Sequence, residues 1–170
     1  PLSIANLRRF YLPAPESSVQ RPKIVLVGPS LEAVSGVSTH LNHLFGSDLR
    51  RRFHLLHFQV GSEGRKAEGS LEKLFRLAWG PVAFAGFCLR HWPDLVHLNP
   101  SLDPKSYWRD LVYLAVARLL RRKVIYQVHG GALPQQFFEG QPLRSALLRR
   151  VLQSADAVVL LAELELRAYR

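Results

Sequence analysis

The sequence predicts an α/β domain built on a doubly wound parallel sheet, and three observations lead there. From Lys23 onward, short runs rich in β-branched residues alternate with longer segments of helical period, the alternation that strands and crossover helices of a parallel sheet impose. The first run, Lys23-Ile-Val-Leu-Val-Gly28, is apolar at consecutive positions, as a strand covered on both faces must be. Length and composition agree: 170 residues, 48% hydrophobic and 21% charged, suit one packed globular domain and exclude disorder and collagen-like repeats.

The elements follow in order. After the first strand, Val37, Leu41, Leu44 and Phe45 are spaced to form one apolar stripe on a helix that Gly46 closes. A second strand, Phe53 to Val60, follows Arg50-Arg51-Arg52, and the polar, glycine-bearing stretch from Gly61 to Gly69 reads as a loop. Within Leu71 to Trp92, Leu71, Leu74, Phe75 and Ala78 share a helical face. Gly80-Pro81 then predicts a break into two helices, because a proline fits the first turn of a helix better than its interior. Pro93-Asp94 ends the second of them. A strand at Leu95 to Leu98, a helix at Tyr107 to Leu120, a strand at Lys123 to Val128, a helix at Pro142 to Leu152 and a strand at Asp156 to Leu161 complete the alternation. Glu163 to Arg170 starts a further helix without a terminal cap, so the chain is expected to be the N-terminal part of something longer. Residues 1–22, with Pro13, Pro15, Ser17 and Ser18, are expected to be a loosely attached lead-in to a domain spanning 23–170.

Cys88 is the only cysteine, so neither an intramolecular disulfide nor a four-thiol zinc site is available, and a reducing cytoplasm is the expected compartment. The longest stretch free of charged and histidine side chains, Leu77 to Leu89, falls short of the roughly 20 apolar residues that span a bilayer. No secretory signal is legible in the lead-in. Lysine plus arginine outnumber aspartate plus glutamate by 23 to 13, a formal charge of +10, which points to an anionic partner: nucleic acid, an acidic membrane surface or a phosphorylated metabolite. The basic clusters also sit where helices end, where they would oppose helix dipoles.

Ligands of an open parallel sheet bind beyond the carboxyl ends of its strands. The loop from Gly28 to His40 has neither dinucleotide-fold nor P-loop glycine spacing, which disfavours an NAD enzyme or an ATPase. Ser35-Gly36 at the helix entry reads either as a phosphate cradle completed by first-turn N–H groups or as an N-cap followed by a turn residue. His129, ahead of Gly130-Gly131 at the end of a buried strand, either presents its imidazole to a sugar hydroxyl or phosphate or plays a structural part. Asn99 and Ser101 offer an amide and a hydroxyl on the same edge, or ordinary turn chemistry. His40 and His43 are a possible metal pair without a third ligand in spacing and are read as a solvated face; no metal site is expected. His54 and His57 point to opposite faces of their strand. No Ser-His-Asp order or carboxylate pair is evident, since Glu139 and Asp103 stand alone.

Four segments in this order, Ile24 to Gly28 with Ser35-Gly36-Val37-Ser38, Pro93-Asp-Leu-Val-His-Leu-Asn99, Lys123-Val-Ile-Tyr-Gln-Val-His-Gly130, and Ala155-Asp-Ala-Val-Val-Leu-Leu161, resemble the N-terminal domain of the retaining glycosyltransferases of family 4. The resemblance implies a Rossmann-like domain that forms the acceptor-side half of a two-domain GT-B architecture, with the donor-binding domain outside this chain. It implies a nucleotide-sugar donor, a glycan or lipid-linked acceptor, retention at the anomeric carbon and no cofactor or obligatory metal. In that family two adjacent glycines approach the donor diphosphate; here Ser35 takes the first place and Gly36 the second, with Val37 following. The family's strand-end histidine, near the transferred sugar, matches His129, and its serine after the final strand is Ala162 here. Thr39, Asn99, Ser101 and Gly130 fall on the sugar and acceptor side. The half-enzyme is expected to be inactive alone, because charge on a leaving diphosphate needs donors from both walls of a closed cleft.

Arg50 to Arg52, Arg65-Lys66, or the Leu71 to Trp92 segment with Lys73, Arg76, Arg90 and Trp92, would suit peripheral docking on an anionic inner membrane face, or else form a core-facing helix with snorkelling bases. The competing class is a non-enzymatic basic module that binds nucleic acid or nucleotide and sugar phosphates. No nucleic-acid motif is present, and nucleic acid is not an expected partner.

Overall fold

The structure is a computed structural model and describes residues 20–61, 69–100, 104–130 and 140–161. Its elements run β1 (Lys23–Gly28), α1 (Gly36–Gly46), α2 (Leu49–Arg52), β2 (His54–Gln59), α3 (Ser70–His91), β3 (Leu95–Leu98), α4 (Pro104–Leu119), β4 (Lys123–Gln127), α5 (Pro142–Leu152) and β5 (Ala157–Val159). The strands pair in parallel in the order β2-β1-β3-β4-β5. This is the doubly wound, Rossmann-like sheet that the alternation of segments predicts, with the order reversing between β1 and β3.

Side-chain alternation along the strands sorts the helices onto two faces. Phe58 pairs in register with Val27 and meets the rings of Phe84, Phe87 and Tyr113, so α3 and α4 cover that face. Val25, Val27, Val96, Leu98, Val124 and Tyr126 join them in the core, as do Leu148 and Leu152 of α5. The neighbouring positions His57, Leu26, His97 and Ile125 form a transverse row on the opposite face, where α1 lies. A methyl group at Gly28 would meet Leu41 Cδ1 at 2.7 Å and Val37 at 3.7 Å. Glycine there lets α1 settle directly on β1.

At the amino edge of the sheet two aspartates hold strand ends in place. Asp94 Oδ2 accepts from Lys23 N at 2.8 Å, and Asp156 Oδ2 accepts from Val124 N at 2.7 Å and from Arg118 at 2.6 Å. These are the acids of the Pro93-Asp and Ala155-Asp segments, and they sit at the end of the sheet remote from the strand-end loops. Residues 20–22 are tied on as well, through Pro22 O to His54 N and Arg21 to Arg50 O.

The structure corrects several boundaries. A single helix α3 runs through Gly80-Pro81, where two helices were expected. Proline there removes one hydrogen-bond donor and crowds the Leu77 carbonyl, a cost of about 3 kcal/mol, which the burial of Phe84 and Cys88 against the core outweighs. Gly80 has a separate role: a Cβ at this position would collide with Tyr113 Oη. Gly80→Ala is therefore expected to lower stability by about 1–3 kcal/mol, measured by urea unfolding. Helix α2, which carries the arginine triplet, is an element the periodicity did not show, being one turn long. The helix expected at Glu163 to Arg170 lies outside the described residues. Cys88 is buried in the core, and burial pushes its thiol up to about 11, so it packs as a protonated side chain.

Candidate functional site at the carboxyl edge of the sheet

The carboxyl ends of β1, β3 and β4 meet the first turns of α1. Ser35 is the N-cap of α1: its Oγ accepts from Ser38 N at 3.3 Å and lies 3.0 Å from Ser38 Oγ. Ser38 donates its own hydroxyl proton to Ser30 O at 2.8 Å, so Ser35 is the donor between the two hydroxyls. The Ser35 side chain is thus committed to the cap, and its proton is not offered outward. Thr39, likewise, donates its hydroxyl to Ser35 O at 3.1 Å.

The capping leaves the backbone N–H groups of Gly36 and Val37, the first two of the helix, without an intrahelical acceptor. A Cβ at Gly36 would find nothing within 4 Å, so the space beside this backbone is open. The first turn carries no acidic side chain, and the positive end of the helix dipole is uncompensated there. Val37, by contrast, turns its side chain toward Gly28 and serves packing.

Asn99 ties the strand ends together. It is 5% exposed, and its Nδ2 donates to Val27 O at 3.2 Å and to His97 O at 3.1 Å. Two carbonyl acceptors fix the orientation of the amide, so Oδ1 is the acceptor facing His129 Nε2 at 3.0 Å. His129 therefore carries its proton on Nε2, and Nδ1 is left as a lone-pair acceptor. The His129 backbone N–H donates to Pro100 O at 2.9 Å. Gly130 then turns the chain at φ +64, a left-handed conformation that accounts for glycine there.

Two further histidines complete the cluster. His40, on α1, packs its ring 4.7 Å from that of His129 and 6.4 Å from that of His97, centroid to centroid. His97 Nε2 lies 2.9 Å from Gln127 Oε1. His40 Nε2 is buried and has no hydrogen-bond partner among the described residues. All three rings are held neutral. Burial, reinforced by the neighbouring imidazoles, lowers His129 to about 4. Burial lowers His97 to about 4 against the opposing bond from Gln127, and it lowers His40 as well. His57, on the same face, bonds through Nε2 to Pro29 O at 3.0 Å and steadies the loop after β1.

The sequence reading placed His40 on a solvated face with His43; only His43 is exposed, and His40 turns into the strand-end crevice. His97 and Gln127 are site residues that the reading missed. Their signal was present: His97 and Asn99, and Gln127 and His129, repeat one i, i+2 spacing at the ends of adjacent strands. Asn99 was expected to face the acceptor, whereas its amide is spent within the protein. Ser101 lies outside the described residues. Among the described residues no group of three or more His, Cys, Asp or Glu could hold a metal ion.

No protein-family profile matches the chain, and no curated protein matches it. Among solved structures, UDP-GlcNAc 2-epimerase from Methanocaldococcus jannaschii is similar, with a TM-score of 0.49 and 13% identity over 86% of this chain. The match covers 41% of that enzyme's chain, so the present chain spans less than half its length. The likeness is a distant one of fold. The described edge itself offers neutral imidazoles that accept hydrogen bonds, together with unfilled backbone donors on α1, a combination suited to a hydroxylated, anionic ligand rather than to acid catalysis at neutral pH.

Proposed function

We propose that this chain is the acceptor-side lobe of a retaining glycosyltransferase that moves a sugar from a nucleotide-sugar donor to a glycan or lipid-linked acceptor. The observation that carries the reading is the pinned His129: with Nε2–H given to Asn99, its Nδ1 accepts a hydrogen bond from a sugar hydroxyl. The open N–H groups of Gly36 and Val37 supply the second half of the argument, as donors toward a diphosphate at a helix N-terminus. The order of the four sequence segments supplies the third.

In this reading His129 orients the transferred sugar, and Asn99 positions His129. Gly36 and Val37 place partial positive charge where the leaving diphosphate gathers negative charge. An opposing lobe contributes the remaining phosphate donors and excludes water when the cleft closes. The Ser35 hydroxyl, engaged in the cap, takes no part in phosphate binding. In this reading no obligatory metal is required.

The test is product formation from uridine- and guanosine-diphosphate sugars by the polypeptide that carries both lobes. His129→Ala is expected to lower turnover by about 100-fold or more while thermal unfolding shows the variant folded. Unchanged turnover in that variant would refute the role of His129. Salt-steep binding to DNA or RNA, with no affinity for either sugar nucleotide, would favour a basic binding module instead.

A further inference from the structure

Helix α3 has two apolar sides. Its inner side carries Phe84, Cys88 and, half-buried, Phe87, which meet the core beneath α4. On its outer side Leu71, Phe75, Ala78, Val82, Ala85 and Leu89 recur at alternating intervals of four and three, the spacing of a seam between two helices. Leu71, Phe75 and Val82 are 82%, 68% and 52% exposed, Ala78 and Leu89 are exposed too, and Ala85 is half-buried. A core-facing stripe with snorkelling bases, one of the two sequence readings, does not describe this outer side. Among the described residues no helix, α3 included, is long and apolar enough to cross a membrane.

The seam is its own complement. Leu71 and Leu89, Phe75 and Ala85, and Ala78 and Val82 stand at equal distances from Gly80. Two copies of the helix laid antiparallel therefore match leucine with leucine at the ends, and in every layer between them a larger side chain meets an alanine. A two-fold axis also sets the same flank of each helix against the other. On one flank stand Glu72 and Arg90, both exposed and eighteen residues apart, which is five helical turns and hence the same angle. Glu72 of one copy then lies opposite Gly86 of the other, one turn from Arg90, and a Cβ at Gly86 would meet nothing within 4 Å, so the arginine has room to reach across. Glu72 Oε2 accepts from Gly69 N at 2.9 Å, and the second carboxylate oxygen remains an acceptor. Trp79, 55% exposed and stacked on Phe75 at 6.1 Å, comes close to the two-fold axis on this flank.

The other charges of the helix do not oppose this pairing. Arg76 is half-buried and engaged within its own chain, Lys73 lies nearly opposite the seam, and the second flank, with Leu74 and Pro81, is uncharged. The formal charge of +10 on each copy is screened beyond about 8 Å at physiological ionic strength, and along the seam itself the flanking charges are complementary. We propose that the outer seam of α3 is the interface of a two-fold homodimer in which the helices pack antiparallel about Gly80, with Glu72 of each copy paired to Arg90 of the other. This inference stands on the helix alone and is independent of the glycosyl-transfer reading.

Sedimentation equilibrium of the full chain at physiological salt should show a concentration-dependent dimer. Val82→Glu changes an exposed side chain of the monomer, so thermal unfolding at concentrations where the wild type is monomeric should be unchanged. Its dimer dissociation constant should rise by about 100-fold or more, because the dimer would bury two unpaired charges. Glu72→Arg and Arg90→Glu, each alone, should weaken the dimer by about tenfold, since like charges then meet twice across the seam. Mixed in equal amounts, these two variants should form a heterodimer with wild-type affinity, because both facing pairs are again of opposite charge. A chain that stays monomeric, a dimer that the folded Val82→Glu variant leaves intact, or a mixture no tighter than either charge variant alone overturns the proposal. So does flotation of a monomeric chain with lipid vesicles that Val82→Glu abolishes, which would assign the seam to a membrane.

Discussion

Asn99→Ala is expected to destabilise the fold by about 3 kcal/mol, since one buried amide supports three partners and each loses a hydrogen bond worth about 1 kcal/mol or more. The Val27 and His97 carbonyls lose a donor, and His129 Nε2–H loses its acceptor. The site is almost closed to solvent, with Asn99 5% exposed and Pro100 beside it buried, so water replaces these bonds poorly. Urea unfolding measures the loss. Imidazole nitrogen shifts supply a second readout: the wild-type ring of His129 should show the Nε2–H tautomer, and the variant should lose that preference. Asn99→Asp separates the two functions of the amide. It keeps an acceptor for His129 but offers no donor to the carbonyls, and its negative charge should raise the pKa of His129.

Acid is expected to weaken the fold well before carboxylates protonate. His97 and His129 titrate near 4 in the folded protein, held down chiefly by burial, against about 6.5 when unfolded. Their folded pKa values are depressed, so the stability they allow is fully present above about pH 6.5 and declines as pH falls toward about 4. Over that window the unfolded chain takes up protons that the folded cluster refuses. Each histidine contributes a slope of about 1.4 kcal/mol per pH unit, so the pair approaches about 2.7. His40 and His57 are lowered in the same direction and steepen the decline. Urea midpoints collected across this window should show the fall. Replacing His97 by glutamine should flatten it by about one proton, and a pH-independent midpoint would contradict the description of the cluster as neutral.

The architecture was legible because the sheet is covered on both faces. Strands such as Lys23–Gly28 and Lys123–Gln127 must be apolar nearly throughout, and that leaves a mark on the sequence that no turn imitates. The continuity of α3 was not legible, because proline's local preference argues for a break and only the packing around Phe84 and Tyr113 overrides it. The carboxyl-edge rule led to His129 and to the entry of α1 without any structure. Its reach stopped at residues whose neighbours are set by strand register. His40, His97 and His129 are far apart in the chain, and nothing local to each of them says that their rings meet. Asn99 shows the opposite error. A polar side chain at a strand end invites assignment to a ligand, yet the carbonyls exposed where the strands diverge needed a donor of their own.

The seat of Tyr113 over Gly80 has a mechanical consequence. A rotation of α3 by one residue, about 100°, would bring Trp79 or Pro81 beneath the phenol, and neither leaves the space that the absent methyl provides. The pair acts as an indexing notch. By locking the angular setting of the helix, one glycine determines which row of side chains the protein shows to its surroundings.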